Sequence, residues 1–535
     1  MTIRTRTVPA AKPAPSRRPP GRGSVDATGA ASGLAAGTVA LALGQVGARL
    51  VPGATPPLQA LGDLVVRLTP IGVTEAVIAA VGRNDKTLLL LLVTAVAVVL
   101  VALTGVVFIR GRRRSALLAV VLLALAPAVA VATAPVGNVS AELVVLLPAA
   151  LIGAIVLWAL GAPVMQAAPD GSGVARSQAQ ALLGRRQLLR AGLVLMSAAA
   201  LGEVAFRALG APSKAIARRL GNALPAPARP LPPLTDTFAS MGASPLITPL
   251  ASFYRIDTAL DLPQVDPERW RLQLTRDGQQ LLHTWSYDEM LGLATTEADI
   301  TIGCVSNEVG GDLIGTARWQ GVPLQALLAR AGVTTAPGRI TGVSVDGFVA
   351  SFPGRYAFDG RAAMLAVGMN GQPLPVKHGF PARLIVPGLY GYTSATKWLT
   401  ELDVSDRTDL PGFWADRGWT PAVGVHITSR IDSPQPGAQL VAGPAQIAGI
   451  AWAPIVGVGS VEVQIDDGPG RAARLAESTT GTVWRQFVLD WSAAPGTHRM
   501  RVRAADVNGH KQDPRRRPVF PSGATGLHQV VVHVT

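Results

Sequence analysis

The chain has 535 residues, a formal net charge of +14, only 15% charged residues and a mean hydropathy of +0.33. The length allows several domains, and the single cysteine excludes an intrachain disulfide framework. Apolar residues are concentrated before about residue 210, whereas the sequence after about 240 is typical of a water-soluble domain. We therefore expect an N-terminal membrane part followed by a large soluble part.

The N-terminal tail, residues 1–29, is rich in Arg and Pro and is predicted to be disordered and cytoplasmic. Basic clusters recur at 110–114 and 184–190, where the positive-inside rule places them on the same side as the tail. These clusters account for much of the net charge. We interpret them as determinants of topology, so nucleic acid is not an expected partner.

Residues 30–211 are predicted to form a helical membrane domain of about five spans. A fifth span at 188–211 is weaker than the others, because Arg190, Glu203 and Arg207 lie in or beside it. Five spans would place the soluble part outside the cytoplasm, whereas four would place it inside. Residues 56–82 are broken by Pro and Gly and predict interfacial helices. The four blocks with the length and polarity of spanning helices are 30–51, 87–109, 115–136 and 141–162.

The membrane domain carries no histidine, since the first in the chain is His283. Haem ligation by paired imidazoles is therefore not expected, and we interpret these helices as an anchor. The stretch GRRQLLRAGLVLMSAAA (184–200) fits two interpretations, a twin-arginine export signal or an ordinary positive-inside cluster. Residues 212–243 are rich in Pro, Ala and Arg and predict a semi-rigid linker.

The soluble part changes character near residue 425. Residues 244–424 alternate short β-type runs with turns and short helical pieces, which predicts an α+β domain. Residues 425–535 contain β-type runs alone, which predicts an immunoglobulin-like β-sandwich. Cys304 follows a β-type run in TIGCVSNEVGG (301–311). A lone cysteine is most often a small buried hydrophobe, and these residues alone leave a ligand role open.

Several motifs that follow one another along the soluble part of the chain resemble those of the sulfite oxidase family of molybdenum enzymes. The resemblance covers about 245–535 and extends to five-span proteins of actinobacterial type. It implies a molybdopterin-dependent oxidoreductase, with an α+β cofactor-binding domain and a C-terminal immunoglobulin-like domain through which the chain would form a homodimer. The motifs are LITPLASFYRIDTALDLPQVDPERW (246–270), TIGCVSNEVGG, MNGQPLPVKHGFPARLIVPGLYGYTSATKWL (369–399), SRIDSP (429–434), VEVQIDDG (461–468) and RAADVNGH (503–510).

The resemblance assigns roles to individual residues. Cys304 matches the protein ligand of molybdenum, a role that suits a soft thiolate, and Arg255 is the second residue assigned to catalysis. Tyr254 and Arg255 match the segment that contacts the pterin phosphate and the metal pocket. Arg383 supplies a forked donor suited to phosphate. The remaining implied cofactor contacts are Asp346, His378, Ser394 and Lys397.

The implied reaction is a two-electron oxygen-atom transfer at molybdenum, with a separate cytochrome or quinone-linked electron carrier and no haem in this chain. The substrate would be a small oxyanion or a sulfoxide, such as methionine sulfoxide. The stretch GFWADRGWTPAV (412–423) departs from the family, because Arg417 and Trp419 stand where a tyrosine-containing run is expected. A cofactor-free scaffold remains an alternative of a different class.

The resemblance also implies a location. The cofactor is inserted in the cytoplasm, so a domain outside it would need an export route for folded cargo. That requirement favours the twin-arginine interpretation of Arg185 and Arg186. We therefore expect a multi-pass protein of the cell membrane with its soluble domain on the extracytoplasmic side.

Overall fold

The computed structural model describes residues 22–51, 54–70, 85–133, 138–166, 224–259, 262–477 and 480–535, with a few positions between 72 and 77 and between 190 and 197. The chain divides into two compact units, Met1–Ala211 and Pro212–Thr535.

The N-terminal unit is helical. Among its described residues, four helices are long and apolar enough to cross a membrane, and they coincide with the four strong blocks in the sequence. The short helix α2 lies within the segment predicted to be interfacial, whereas the predicted fifth span, 188–211, lies outside the described residues except for isolated positions. The helices are α1 (Arg22–Leu50), α2 (Pro57–Leu68), α3 (Asp85–Ile109), α4 (Arg113–Ala132) and α5 (Val139–Gln166).

Small residues let α1 and α3 pack closely. Gly29, Gly33 and Gly37 recur at every fourth position of α1 and face α3 at Val101 and Gly105. A Cβ atom on Gly33 would lie 2.1 Å from the Val101 carbonyl oxygen. Lipid supplies no hydrophobic driving force between helices, so close backbone approach of this kind is a main source of their association.

The second unit, Pro212–Thr535, corresponds to the predicted soluble part, and we call it the soluble unit. It contains a first five-stranded sheet in the order β2-β1-β10-β5-β6. The pairing of β1 with β10 is parallel and the other pairs are antiparallel. Helix α6 (Tyr287–Leu293) follows β2 and begins with a capping box between Ser286 and Glu289. The strands are β1 (Arg271–Arg276), β2 (Gln280–Ser286), β5 (Arg339–Ser344), β6 (Val349–Pro353) and β10 (Leu399–Ser405).

A second sheet has the order β3-β4-β7-β8, with β9 also paired to β7. The two sheets and helices α6 and α7 (Leu324–Arg330) enclose one hydrophobic core that includes Trp319 and Phe352, and the short helix α8 (Gly391–Ser394) follows β9. This core holds the end of β3 in place, directly before Cys304. The strands are β3 (Thr296–Gly303), β4 (Ile314–Pro323), β7 (Met364–Met369), β8 (Gln372–Pro373) and β9 (Arg383–Ile385).

The C-terminal part consists of two further sheets around a shared core of residues such as Phe487 and Val502. One sheet has the order β11-β13-β17-β16 and the other β12-β19-β18-β14-β15. The strands are β11 (Thr428–Ser433), β12 (Gln439–Leu440), β13 (Gly443–Trp452), β14 (Val458–Ile465), β15 (Gly470–Ala472), β16 (Arg474–Leu475), β17 (Arg485–Ala493), β18 (Gly496–Asp506) and β19 (His528–Val534).

Residues 224–243, which the sequence places in a linker, pack on the soluble unit. Arg318 donates to the carbonyl oxygens of Leu231 and Pro232 at 3.0 and 2.6 Å. The Phe238 amide donates to the Gln486 side chain at 3.0 Å, and the Phe238 ring is buried. Side chains of the folded body thus both donate to and accept from the backbone of this proline-rich segment, which does not extend away as a free spacer.

Candidate functional site

Cys304 directly follows β3 in a tightly closed loop. Its amide donates to the Leu313 carbonyl at 2.9 Å, and the side chain of Asn307 accepts from the Leu313 amide at 2.8 Å. The Ser306 amide points at the Cys304 Sγ atom at 3.4 Å. The thiol is buried, and this burial raises its pKa against the opposing effects of the Ser306 amide and the Lys397 charge. We call residues 304–311 the cysteine loop.

The Cys304 side chain lines a cavity of about 110 Å³. One wall is aromatic and includes Trp414 and Trp419, whereas polar groups converge from the opposite elements. An apolar cavity with a few convergent polar groups is typical of a small-molecule or cofactor site. The polar and ionisable side chains of the lining include Tyr254, Asp257, Asp346, His378, Arg383 and Lys397.

The Asp257 carboxylate joins two of the cations at this site. Its Oδ2 atom lies 2.7 Å from both the Arg255 Nε and the Lys397 Nζ atoms, and its side chain is 3% exposed. Burial lowers the pKa of Lys397 to about 8, although the contact with Asp257 opposes the shift. The charges of Arg255 and Lys397 are therefore both engaged by one carboxylate.

Arg383 is a buried cation of a different kind. Its Nη1 and Nη2 atoms donate to the carbonyl oxygens of His378 and Ala395 at 3.1 and 3.2 Å. Its guanidinium lies 5.0 Å from the ring centroid of Trp319. Burial lowers its pKa to about 10, which leaves it charged at neutral pH. Throughout the described chain Arg383 has no carboxylate partner, so a buried charge of this type calls for an anionic ligand.

Three cavity-lining residues hold side-chain nitrogen atoms that lack a hydrogen-bond partner within the described residues. These atoms are the Arg383 Nε, the His378 Nε2 and the Trp419 Nε1. Burial lowers the pKa of His378 to about 3, so its imidazole is neutral at neutral pH. Unpaired buried polar atoms cost free energy, which a ligand with matching acceptors removes. Together with a thiol, this donor set fits a metal-bearing group with heterocyclic and phosphate acceptors.

The structure brings most of the predicted site residues together. Six of them line the cavity: Tyr254, Cys304, Asp346, His378, Arg383 and Lys397. Burial raises the pKa of both Tyr254 and Asp346. Arg255 is more than a third exposed and reaches the site through Asp257. The Ser394 hydroxyl donates to the Leu389 and Tyr390 carbonyls and does not face the cavity, so only its backbone remains available to the predicted role.

Sequence reasoning missed Asp257 and the aromatic wall. Asp257 belongs to the FYRID stretch from which Tyr254 and Arg255 were selected, and an acid two positions after an arginine signals a local ion pair. Trp414 and Trp419 belong to the stretch that departs from the family pattern. Their position beside the cavity shows that this departure falls on the site itself.

A cavity with one cysteine, a buried arginine and unpaired donors defines a cofactor-dependent protein, and comparisons with known proteins identify its class. Residues 259–414 match the family described as oxidoreductase molybdopterin binding domain. The chain is 32% identical over 297 residues to mitochondrial sulfite oxidase of Rattus norvegicus, which covers 48% of this chain and 52% of that protein. It is also 32% identical over 261 residues to the mitochondrial sulfite oxidase of Homo sapiens, and this match covers 41% of this chain and 47% of that protein.

A bacterial relative shares most of its length with the chain. The uncharacterized oxidoreductase YuiH of Bacillus subtilis is 31% identical over 156 residues, which is 29% of this chain and 74% of that protein. The solved structure of the sulfane dehydrogenase SoxCD from Paracoccus pantotrophus matches with a TM-score of 0.45 and 23% sequence identity. The match covers 53% of this chain and 83% of the SoxCD chain. The chain belongs to the sulfite oxidase family of molybdopterin-dependent oxidoreductases. It spans about half the length of the sulfite oxidases it matches.

Proposed function

We propose that this protein is a membrane-anchored enzyme that transfers an oxygen atom, with two electrons, at a molybdenum centre held by Cys304. One observation carries the proposal: the buried Arg383 guanidinium, without a carboxylate partner in the described residues, lines the same cavity as the chain's single thiol. A phosphate satisfies such an arginine through paired hydrogen bonds, and a soft metal takes the thiolate.

Each residue then has a defined task. Cys304 would ligate the metal, and Arg383, His378 and Lys397 would hold the phosphate and pterin acceptors. The bound molybdenum cofactor supplies a two-electron redox centre. Trp414 and Trp419 would exclude bulk water from the cavity, and the Asp257 carboxylate would keep Arg255 and Lys397 oriented beside it.

Metal and pterin analysis of the purified full chain tests the cofactor. Protein from a host that makes the cofactor should contain about one molybdenum and one pterin per chain, and Cys304→Ser should lose the metal. Ser394→Ala is a matched control that should keep it, because that hydroxyl faces away from the cavity. Wild-type protein without molybdenum and pterin would favour the alternative of a cofactor-free scaffold.

The paired charges of Arg255 and Lys397 favour a sulfoxide over sulfite as the substrate. A dianion needs several uncompensated cations, but Asp257 engages both Arg255 and Lys397 at 2.7 Å, so the three groups together carry a net charge of only about +1. A neutral sulfoxide needs only a donor for its oxygen and apolar contacts for its substituents, which the wall with Trp414 and Trp419 provides.

The two reactions run in opposite directions. Reduction consumes one sulfoxide, two protons and two electrons and yields a sulfide and water. Oxidation consumes sulfite and water and yields sulfate, two protons and two electrons. Assays of both with artificial carriers should show the larger kcat/KM for the sulfoxide. A larger value for sulfite would refute this choice while leaving the cofactor proposal intact.

We also propose that the soluble unit lies on the extracytoplasmic side of the cell membrane. The basic tail, the cluster at 110–114 and the predicted span at 188–211 support this topology. Ser460→Cys adds one exposed thiol to the soluble unit, whereas Cys304 itself is buried. An impermeant maleimide should label the added thiol in intact spheroplasts, and labelling only after lysis would place the unit in the cytoplasm.

Export of the folded domain would use the twin-arginine element at Arg185 and Arg186, which lie outside the described residues. Replacing both by Lys should leave the soluble unit in the cytoplasm while basic charge, and thus the positive-inside signal, is retained. Normal export of that variant would overturn the assignment.

The C-terminal part is proposed to be an immunoglobulin-like sandwich that mediates dimerisation. Its two mainly antiparallel sheets enclose one core, which supports the sandwich architecture. Light scattering in detergent should report a homodimer. Electrons would be exchanged with a separate cytochrome or quinone-linked carrier.

A further inference from the structure

One loop of the C-terminal part is strongly basic and lies against the candidate site. Arg515, Arg516 and Arg517 are consecutive and exposed. Asp513 is the acid in contact with them, at 3.2 Å from Arg515 and 3.6 Å from Arg517. Arg516 has no ion pair among the described residues, so the group carries a net charge of about +2. We call residues 513–526 the arginine loop.

The middle of the arginine loop contacts the aromatic wall of the cavity. The Phe520 ring meets the Trp419 ring edge-on at 5.3 Å between centroids. The Thr420 amide donates to the Pro521 carbonyl at 3.0 Å, and the hydroxyls of Thr420 and Ser522 lie 2.9 Å apart. The arginine loop is therefore packed against Trp419, which lines the cavity.

The C-terminal end of the arginine loop contacts the cysteine loop. A Cβ atom on Gly526 would lie 3.4 Å from the Arg516 Cα atom and 3.5 Å from the Val309 side chain. Thr525 holds this geometry, since its hydroxyl donates to the Arg515 carbonyl at 2.7 Å and its backbone bridges to Arg517. The backbone that carries the three arginines thus lies next to the cysteine loop.

We propose that the arginine loop is the docking surface for an acidic face of the protein that exchanges electrons with this site. The inference rests on the proposed function, in which two electrons move per turnover and a one-electron carrier must dock twice. The carrier is reduced if the substrate is oxidised and oxidised if the substrate is reduced. Charge complementarity serves both directions, because it steers encounter and orients the partner.

A macromolecular partner fits these arginines better than the substrate does. None of the three lines the cavity, so they do not converge on a molecule bound there. Their exposed side chains instead offer separate forked donors to carboxylates spread over a surface. The adjacent cysteine loop would bring such a partner close to the redox centre.

The test measures binding of an acidic carrier, a plastocyanin-type copper protein, to the full chain in nanodiscs of neutral lipid. The variant replaces Arg515, Arg516 and Arg517 by Glu. A matched control carries the same change of charge at Arg269, Arg276 and Arg330, none of which lines the cavity. We expect the loop variant to raise Kd at least tenfold at 20 mM salt and the control to raise it less than threefold. The difference should vanish at 500 mM salt, where charges are screened.

Equal weakening in both variants would overturn the proposal, because it would reduce the effect to net charge. Unchanged affinity in the loop variant would overturn it as well. Vesicles of phosphatidylglycerol are a second probe, and loop-dependent binding to them without carrier binding would assign the loop to a lipid surface instead. Molybdenum content is measured on the same samples. Loss of carrier binding with full metal content isolates the docking surface, whereas absent metal in wild-type protein refutes the proposed function.

Discussion

Arg430 provides the most direct test of how the cysteine loop is held. Its Nη1 atom donates to the Gly311 carbonyl at 2.6 Å, its Nε atom to Asp432 at 2.6 Å, and its Nη2 atom to the Ser244 hydroxyl at 2.9 Å. Asp432 in turn accepts from the Ser244 amide at 2.8 Å. One β11 side chain of the C-terminal part therefore fastens the end of the loop that begins at Cys304.

The expected cost of Arg430→Met follows from these contacts. Each hydrogen bond to a charged group contributes about 1.5–3 kcal/mol net. Arg430 and Asp432 are both largely buried, so their pair is only weakly screened. When the loop opens, the Gly311 carbonyl and the Ser244 hydroxyl regain hydrogen bonds to water, which offsets part of the loss. The net cost of Arg430→Met to the closed loop is therefore about 2–3 kcal/mol. Local opening of the cysteine loop should therefore become about 30-fold more frequent for a loss of about 2 kcal/mol.

The assay uses the rate at which a thiol reagent labels protein produced without molybdate. Cys304 is the only cysteine and is 7% exposed, so the label reports on this loop alone. Arg430→Met should raise the rate about 30-fold. Arg474→Met is the control, since its pair with Asp490 is about 60% exposed and is worth less than about 1 kcal/mol. Equal labelling rates for wild type and Arg430→Met would refute the reasoning.

Three further predictions concern other parts of the molecule. Asp257→Asn should free the charges of Arg255 and Lys397 and lower KM for sulfite more than for a sulfoxide; equal effects on both would contradict the proposed charge balance. Gly33→Ala should lower the melting temperature of the detergent-solubilised chain, because its Cβ would meet a backbone oxygen of α3, whereas Gly72→Ala, which meets nothing within 4 Å, should not. His498→Gln should cost up to about 1 kcal/mol more at pH 5.5 than at pH 9, measured by urea unfolding, because the hydrogen bond to Asp466 raises the pKa of His498. This stabilisation is present below the ordinary pKa of about 6.5 and is lost as pH rises through the raised value.

Local patterns were sufficient to predict the elements but not the contacts between them. The four apolar blocks predict four helices because length and composition alone define a span. The β-branched run before Cys304 likewise predicts β3, which ends at Gly303. In contrast, the packing of residues 224–243 depends on donors from Arg318, more than eighty residues away, which no local pattern contains.

The site was also predicted only in part, because some of the contacts that set its charges join residues far apart in the sequence. Motifs identified the residue types that a metal and a phosphate require, and the cavity brings six of them together. The state of each charge depends on distances that the sequence does not contain. Arg255 and Lys397 share the single negative charge of Asp257, whereas Arg383 keeps an uncompensated charge in the described structure. This difference distinguishes Arg383 from the other two cations of the site.

The matched segment 259–414 is not sufficient to build this site. Tyr254 and Asp257 precede it, and Trp419 follows it, yet all three line the cavity. Arg430, which fastens the cysteine loop, also lies beyond it. The segment carries Cys304 and Arg383, which we assign to the cofactor, whereas Trp419 and Arg430 outside it line the cavity and hold the cysteine loop. We therefore expect the substrate choice of this chain to depend partly on flanking sequence, since Trp419 lies in the stretch that departs from the sulfite oxidase pattern.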